Sequence, residues 1–334
     1  MGFRIDAQLT VAPGEVAATA ERLRGLGFDG VFTFEGPADV FLPLTLAASA
    51  GLDLMTNIAV AFPRSPVHLA HTAHDLHLLS GGRFRLGLGS QVRAHVERRY
   101  GAAFDRPAAR MREYVLAIKA IQHSWQTGEP LDFRGEFTTH TLMPPLFSPG
   151  PNPHGTPPVL VAGVGPLMTA VAGEVADGYL IHPFNSPASV ETTTLPALDK
   201  GLATAGRSRS DLEICHQFIV GTGRDEAEVA SAREAARTMI AFYGSTAAYL
   251  PVLEAEGAAE LHPALRALTR ENRWGDLPGL IPDELLDRIA VTGSPDQVAA
   301  AIRARATGLA DRIALCTPHV PSPEALTTLL DALH

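Results

Sequence analysis

The chain has 334 residues, enough for one large α/β domain or two ordinary ones, and at 46% hydrophobic and 19% charged its composition is that of a soluble globule. A formal net charge of −9 with no basic stripe excludes recognition of a nucleic-acid backbone, and gives no help to attachment at a membrane surface. The longest uncharged apolar run, residues 40–52, is too short to span a bilayer and is interrupted by Pro43.

In chain order, short β-rich runs alternate with longer amphipathic stretches. Strands are predicted at 3–9, 30–34, 52–60, 83–89, 159–162, 178–181, 212–220 and 312–316. Helices are predicted at 15–26, 41–50, 67–79, 107–125, 166–175, 189–205, 225–242, 295–306 and 323–330. This alternation predicts a (β/α)8 TIM barrel within a single domain, 1–334, rather than a doubly wound sheet. Two segments fall outside the repeat. The Pro- and Gly-rich stretch 126–158 is expected to be a loop or small ribbon, and 244–289 a lid or helical excursion. The N-terminal residues read as a strand, without a basic-then-apolar leader pattern. Cys215 and Cys316 sit inside strand runs as small core hydrophobes, and a reduced, cytoplasmic location is expected.

The stretch Ser80–Val92, SGGRFRLGLGSQV, raises the question of a dinucleotide fingerprint. Such a fingerprint needs Gly-x-Gly-x-x-Gly after the first strand of a βαβ unit. Here Val92 stands in the third glycine's place, and the run belongs to the fourth strand. It fits a barrel strand better: Phe84, Leu86 and Leu88 alternate, and Gly87 and Gly89 admit a close neighbour near the C-terminal end, where barrel sites lie.

This run, with RPAARMREYVLAIKAI from Arg106, PPVLVAGVGPLMTAVAGEVADGYLIHPF over 157–184 and TGSPDQVAAAI over 292–302, resembles the bacterial luciferase-like superfamily. Within it the chain is similar to the branch of oxidoreductases that use the deazaflavin coenzyme F420. The resemblance covers nearly the whole chain, and four motifs keep the family order. It implies a luciferase-like barrel and a cofactor phosphate at Gly163, Val164, Gly165 and Leu167, where Pro166 opens a helix whose free N–H groups attract anions. A cis peptide is implied between Asn57 and Ile58, with Ala59 following, as a bulge behind the cofactor ring. Gly89 and Ser90 would let the cofactor approach, and His95 would meet the ring or its ribityl chain.

After the second strand, where similar chains carry a His, this one has Ala38, which moves the proton-transfer role to Glu35, with Asp39 nearby. A carboxyl beside an apolar ring is expected to hold its proton near neutral pH. His182, closing the sixth strand, and Tyr243 are expected at the pocket. His68, His71, His74 and His77 recur every third residue and cannot all converge on one ion, so no metal site is read there. Arg106, Arg110 and Glu113 form one helix stripe, read as a structural ion-pair set.

The leading expectation is an F420-dependent oxidoreductase passing a hydride between the coenzyme and a small organic substrate bearing a C=C, C=N, C=O or alcohol group. The alternative is an FMN-dependent monooxygenase of the same superfamily, with a separate flavin reductase as partner. Only two of the 27 basic residues, Lys119 and Lys200, are lysine, a GC-rich signature that favours the deazaflavin. A cofactor-free binding protein on a decayed barrel is a third class, encouraged only by Ala38. A homodimer is expected from the resemblance alone, and the two insertions are expected to shape substrate choice.

Overall fold

A computed structural model describes residues 2–334. Its first strands are β1 Arg4–Gln8, β2 Gly30–Thr33, β3 Asp53–Thr56, β4 Ala59–Val60 and β5 Phe84–Gly89. A two-stranded ribbon follows, β6 Phe133–Arg134 and β7 Thr139–His140, and then β8 Val159–Gly163, β9 Gly178–Ile181, β10 Glu213–Thr222, β11 Val291–Gly293 and β12 Arg312–Cys316. The order β1-β2-β3-β5-β8-β9-β10-β12 is parallel throughout, and β12 pairs back onto β1 through Arg4–Arg312 and Ile5–Ile313. The sheet is therefore a closed barrel.

Side chains alternate along each strand, so every second residue enters the barrel. Phe32, Met55, Leu160, Leu180, Cys215 and Ala314 form one apolar layer there. Below it, at the strand starts, lies a charged layer. Arg312, 1% exposed, donates to Asp6 from Nε at 2.5 Å and Nη2 at 2.9 Å, and Nη2 also reaches Asp53 at 2.7 Å. Arg85 joins Glu213 at 2.8 Å and Asp53 at 3.6 Å. Gly30 makes room for this layer, because a Cβ there would lie 2.3 Å from the Asp6 carboxylate.

Helices cover the outside. Pro66–Leu79, Pro107–Thr127, Pro166–Val175, Pro295–Ala306 and Pro323–Leu333 each begin on a proline, whose fixed φ and missing N–H suit the first helical position. The predicted helix over 189–205 is borne out as one helical run, opening at Pro187–Ser189, passing through a π-turn, Val190–Thr194, and continuing as Leu195–Thr204.

Periodicity places a barrel helix at 225–242, and the structure differs. Helix Glu226–Gly244 packs on the extension of β10 and on the short helices of the following segment. Its Ala236, Ile240 and Ala241 join Leu253, Leu265, Leu285 and Leu286 in a second core, into which Phe184 and Ile219 project from the barrel wall. The helical excursion thus starts just after β10, not at Gly244, and the crossover to β12 is helix Pro295–Ala306. An apolar stripe has one periodicity whichever surface it covers. The segment 126–158 carries the β6–β7 ribbon and lies along helix Pro107–Thr127. The Glu113 carboxylate accepts from the N–H groups of Glu136, Phe137 and Thr138 at 2.6–2.7 Å, and Gln126 ties Asn152. It lies along the barrel's flank, where Phe137 and Thr138 share a cleft with Arg64 and Arg110.

Candidate active site at the barrel mouth

The C-terminal strand ends form the mouth. Between β3 and β4 the Asn57–Ile58 peptide is cis. Asn57, buried, accepts at Oδ1 from Gln217 Nε2 at 3.0 Å, and the Cys316 thiol lies 3.7 Å from Gln217 Oε1. The Asn57 Nδ2 amide is buried without a partner. Ile58 is half-buried and leans over Gly89, where a Cβ would come within 2.7 Å of its Cγ1. Glycine at 89 is therefore what lets Ile58 take this place. Ser90 donates only to Gln91 O, at 3.1 Å.

Across the mouth, β8 ends in Gly163, Val164 and Gly165, followed by helix Pro166–Val175. No side chain caps this helix: Gly165 is its N-cap, so the first N–H groups are left to an outside acceptor. Leu167 is 73% exposed beside them. Tyr179 fixes the loop from below by donating to Gly163 O at 2.5 Å. A narrow cleft opens here, lined by Gly163, Val164, His182, Ser189, Thr193 and Pro251 among others. It lies at one edge of the mouth, toward the excursion.

Glu35 is not the free acid that the sequence suggests. Arg64 grips both its oxygens, at 2.7 and 2.8 Å, and the Val60 N–H donates to Oε2 at 2.8 Å. Charge-assisted bidentate bonding of this kind holds a carboxylate as an acceptor, and here it ties the end of β2 to β4. Glu35→Gln is expected to lower the unfolding midpoint while leaving the pH dependence of turnover unchanged, which paired denaturation and pH–rate measurements check. Asp39 accepts from the N–H groups of Phe41 and Leu42 at 2.7 and 2.8 Å, opening the next helix, and Ala38 is exposed. His95 is exposed on helix Arg93–Arg98 and its ring makes no hydrogen bond within the protein.

His182 does face the mouth region, half-buried, one register step above Leu180. The Phe184 N–H donates to its Nδ1 at 3.1 Å. Its ring stacks on Tyr249 at 4.6 Å between centroids, with Tyr243 edge-on at 4.8 Å. Burial pushes His182 down to about 3.

Several residues of the site escape sequence reasoning: Gln217, Arg64, Tyr249 and the pair Asn185–His216. Gln217 left one signal, a polar residue at an inward position of the strand EICHQFIVGT. Asn185 donates to His182 O at 2.7 Å and Gln217 O at 3.1 Å, joining the ends of β9 and β10, and its Oδ1 meets His216 Nε2 at 3.0 Å. Burial, aided by Arg305, lowers His216 to about 3. The folded ring is therefore neutral, while the unfolded one takes a proton below about 6.5. The stability it contributes is complete above pH 6.5 and is lost as pH falls toward 3. Urea unfolding at pH 7 and pH 5.5 should show His216→Gln losing about 1 kcal/mol less over that interval than the wild type.

Cys215 and Cys316 are both free and buried. The histidine ladder is used in packing: His71 and His74 meet Trp125 at 4.5 and 5.7 Å, and His77 Nδ1 lies 3.0 Å from Phe84 O. Arg106 and Arg110 pair with Glu136 and Asp105 rather than with Glu113. Among the described residues no three His, Cys, Asp or Glu side chains gather as a metal site, and no helix is long and apolar enough to cross a membrane.

A closed parallel barrel with a glycine-lined mouth, a cis bulge on one wall and an uncapped helix start on another defines a (β/α)8-barrel protein with its candidate site at the strand ends. The luciferase-like monooxygenase family model matches residues 3–312, and the chain belongs to that family. It is 46% identical over 313 residues to the uncharacterized protein Rv1360 of Mycobacterium tuberculosis strain H37Rv, covering 93% of this chain and 92% of that one. It is 32% identical over 306 residues to Rv3520c of the same strain, provisionally named a coenzyme F420-dependent oxidoreductase, covering 85% and 84%. Its fold matches the coenzyme F420-dependent tetrahydromethanopterin reductase of Methanopyrus kandleri with a TM-score of 0.80, at 20% identity over 99% of this chain and 97% of that one.

Proposed function

We propose that the protein is an oxidoreductase that uses coenzyme F420 to pass a hydride to or from a small organic substrate. The observation that carries this reading is the pairing of two unfilled features across one mouth. A buried amide, Asn57 Nδ2, has no partner in the protein, and the start of helix Pro166–Val175 has no capping side chain. A flat polar ring joined to a phosphate group answers both. Leu167 and Met168 would offer their N–H groups to the phosphate, Ile58 would press on one ring face, and Asn57 would bond the ring edge. The bound coenzyme supplies the hydride; the chain supplies position and a pocket closed to water. The provisional name of Rv3520c supports the choice of F420.

The family model's own description, a monooxygenase, favours a second reading in which the same cradle holds FMN reduced by a partner protein. A fluorescence titration of the purified protein with oxidised F420 and, separately, FMN tests the two. Saturable binding of F420 with little response to FMN is expected. The reverse preference overturns the F420 reading and directs attention to oxygen chemistry.

A further inference from the structure

Resting on the oxidoreductase reading, we propose that His182 orients the substrate by donating one hydrogen bond from Nε2–H to a neutral oxygen acceptor, a ketone or the matching alcohol, held against Tyr243 and Tyr249. The hydrogen-bond pattern identifies the tautomer. Nδ1 accepts from the Phe184 N–H at 3.1 Å, so the proton of the neutral ring sits on Nε2. That nitrogen has no hydrogen-bond partner within the protein, and the half-buried ring lines the cleft, where a ligand can meet it. The ring cannot swing away, because Tyr249 stacks on it and Tyr243 meets it edge-on, while the tyrosines themselves touch at 5.4 Å.

Charge narrows the ligand. The adjoining cleft is lined by no Lys or Arg, and Asp or Glu are missing from it too. A carboxylate at His182 Nε2 would be desolvated with no counter-ion beside it, at a cost one hydrogen bond does not offset. Desolvation also keeps His182 uncharged through the physiological range. The groups facing it are Tyr243 and Tyr249, both held protonated by burial, and Phe184, with Cys316 within electrostatic reach of Tyr243. In this role the imidazole keeps its proton and needs no change of charge. Both tyrosines belong to the excursion after β10, chain added to the barrel, whereas the cofactor cradle of Asn57, Ile58, Gly89 and Gly163–Gly165 is built from the barrel itself. Gly163 and Val164 bound the cleft on the cofactor side, and the side where His182 meets the two tyrosines is assigned to the substrate.

The test uses the intact protein, with and without F420, and cyclohexanone and cyclohexanecarboxylate as probes, followed by ligand-observed NMR. Wild type should bind the ketone at least about tenfold more tightly than the carboxylate. Equal affinity, or no ketone binding in either state, overturns the proposal. His182→Gln keeps a donor and should bind the ketone within about threefold of wild type, while His182→Phe keeps a ring but no donor and should lose about five- to tenfold. A purely packing role predicts the opposite order, since phenylalanine refills the aromatic stack and glutamine does not. Independently, ¹⁵N spectra should show an Nε2–H tautomer for His182 with no titration between pH 5 and 8; a ring that titrates there also overturns the proposal. These readouts do not depend on F420, so failure of the cofactor titration leaves them standing and sinks only the reading of the preceding section.

Discussion

Arg312→Ala is expected to lose about 3–5 kcal/mol of folding stability at neutral pH, a large share of what a domain has. Arg312 is 1% exposed and is the one cation bonded to both Asp6 and Asp53. Two carboxylates are left facing each other in the barrel floor when the guanidinium goes. Burial already pushes the Asp6 carboxyl up to about 6 against the pull of Arg312. Without that pull it rises further, and the folded variant takes up a proton that the unfolded chain releases above about 4. The penalty therefore grows as pH rises from 5 to 8, and the variant should recover partly in acid. Arg312→Lys, lacking the planar fork, should fall between the two. Urea denaturation at pH 5 and pH 8 measures all three proteins. A loss under about 1 kcal/mol for Arg312→Ala at pH 8 would show that the layer is not held by this residue.

The second large effect separates binding from folding. Gly165→Asp places a carboxylate at the N-cap of helix Pro166–Val175. The backbone there is extended, with φ −83° and ψ 151°, and an added Cβ meets nothing within 4 Å, so the side chain is accommodated. Aspartate is a good N-cap, and stability should hold or rise by a few tenths of a kcal/mol. The same carboxylate occupies the N–H groups proposed for the cofactor phosphate and repels that phosphate. Affinity for F420 should fall by about two orders of magnitude, roughly the effect of a lost charge-assisted anion site. Denaturation and the fluorescence titration report the two outcomes on one variant. Retained affinity together with unchanged stability would move the phosphate elsewhere. Loss of both would point to a disturbed loop rather than a lost anion site.

Much of the barrel is legible in the sequence because its signals are local. Strand runs such as RFRLGLG carry alternation and β-branched or aromatic residues within a few positions, and prolines at 66, 107, 166, 295 and 323 mark helix starts without reference to anything distant. The bulge at Asn57–Ile58 and the glycine turn at 163–165 are recognisable only as members of a family pattern, since a buried strand and an ordinary turn look the same residue by residue. The structure carries a cis bond at the first and an uncapped helix start at the second.

What the sequence by itself determined is thus the order of strands and helices, the acidic composition and the strand ends at which a site could form. Only the tertiary structure decided how the polar groups at those ends are used. Glu35 meets Arg64 across 29 positions, Asn57 meets Gln217 across 160, and Asp6 meets Arg312 across 306. Helix Glu226–Gly244 turns out to cap the mouth rather than flank the barrel, bringing Tyr243 to His182. The physical reason is common to all four. Periodicity records that a face is apolar or that a residue is charged, but which partner satisfies a buried charge or covers an apolar stripe depends on the closure of the barrel, and closure joins residues that the chain keeps far apart.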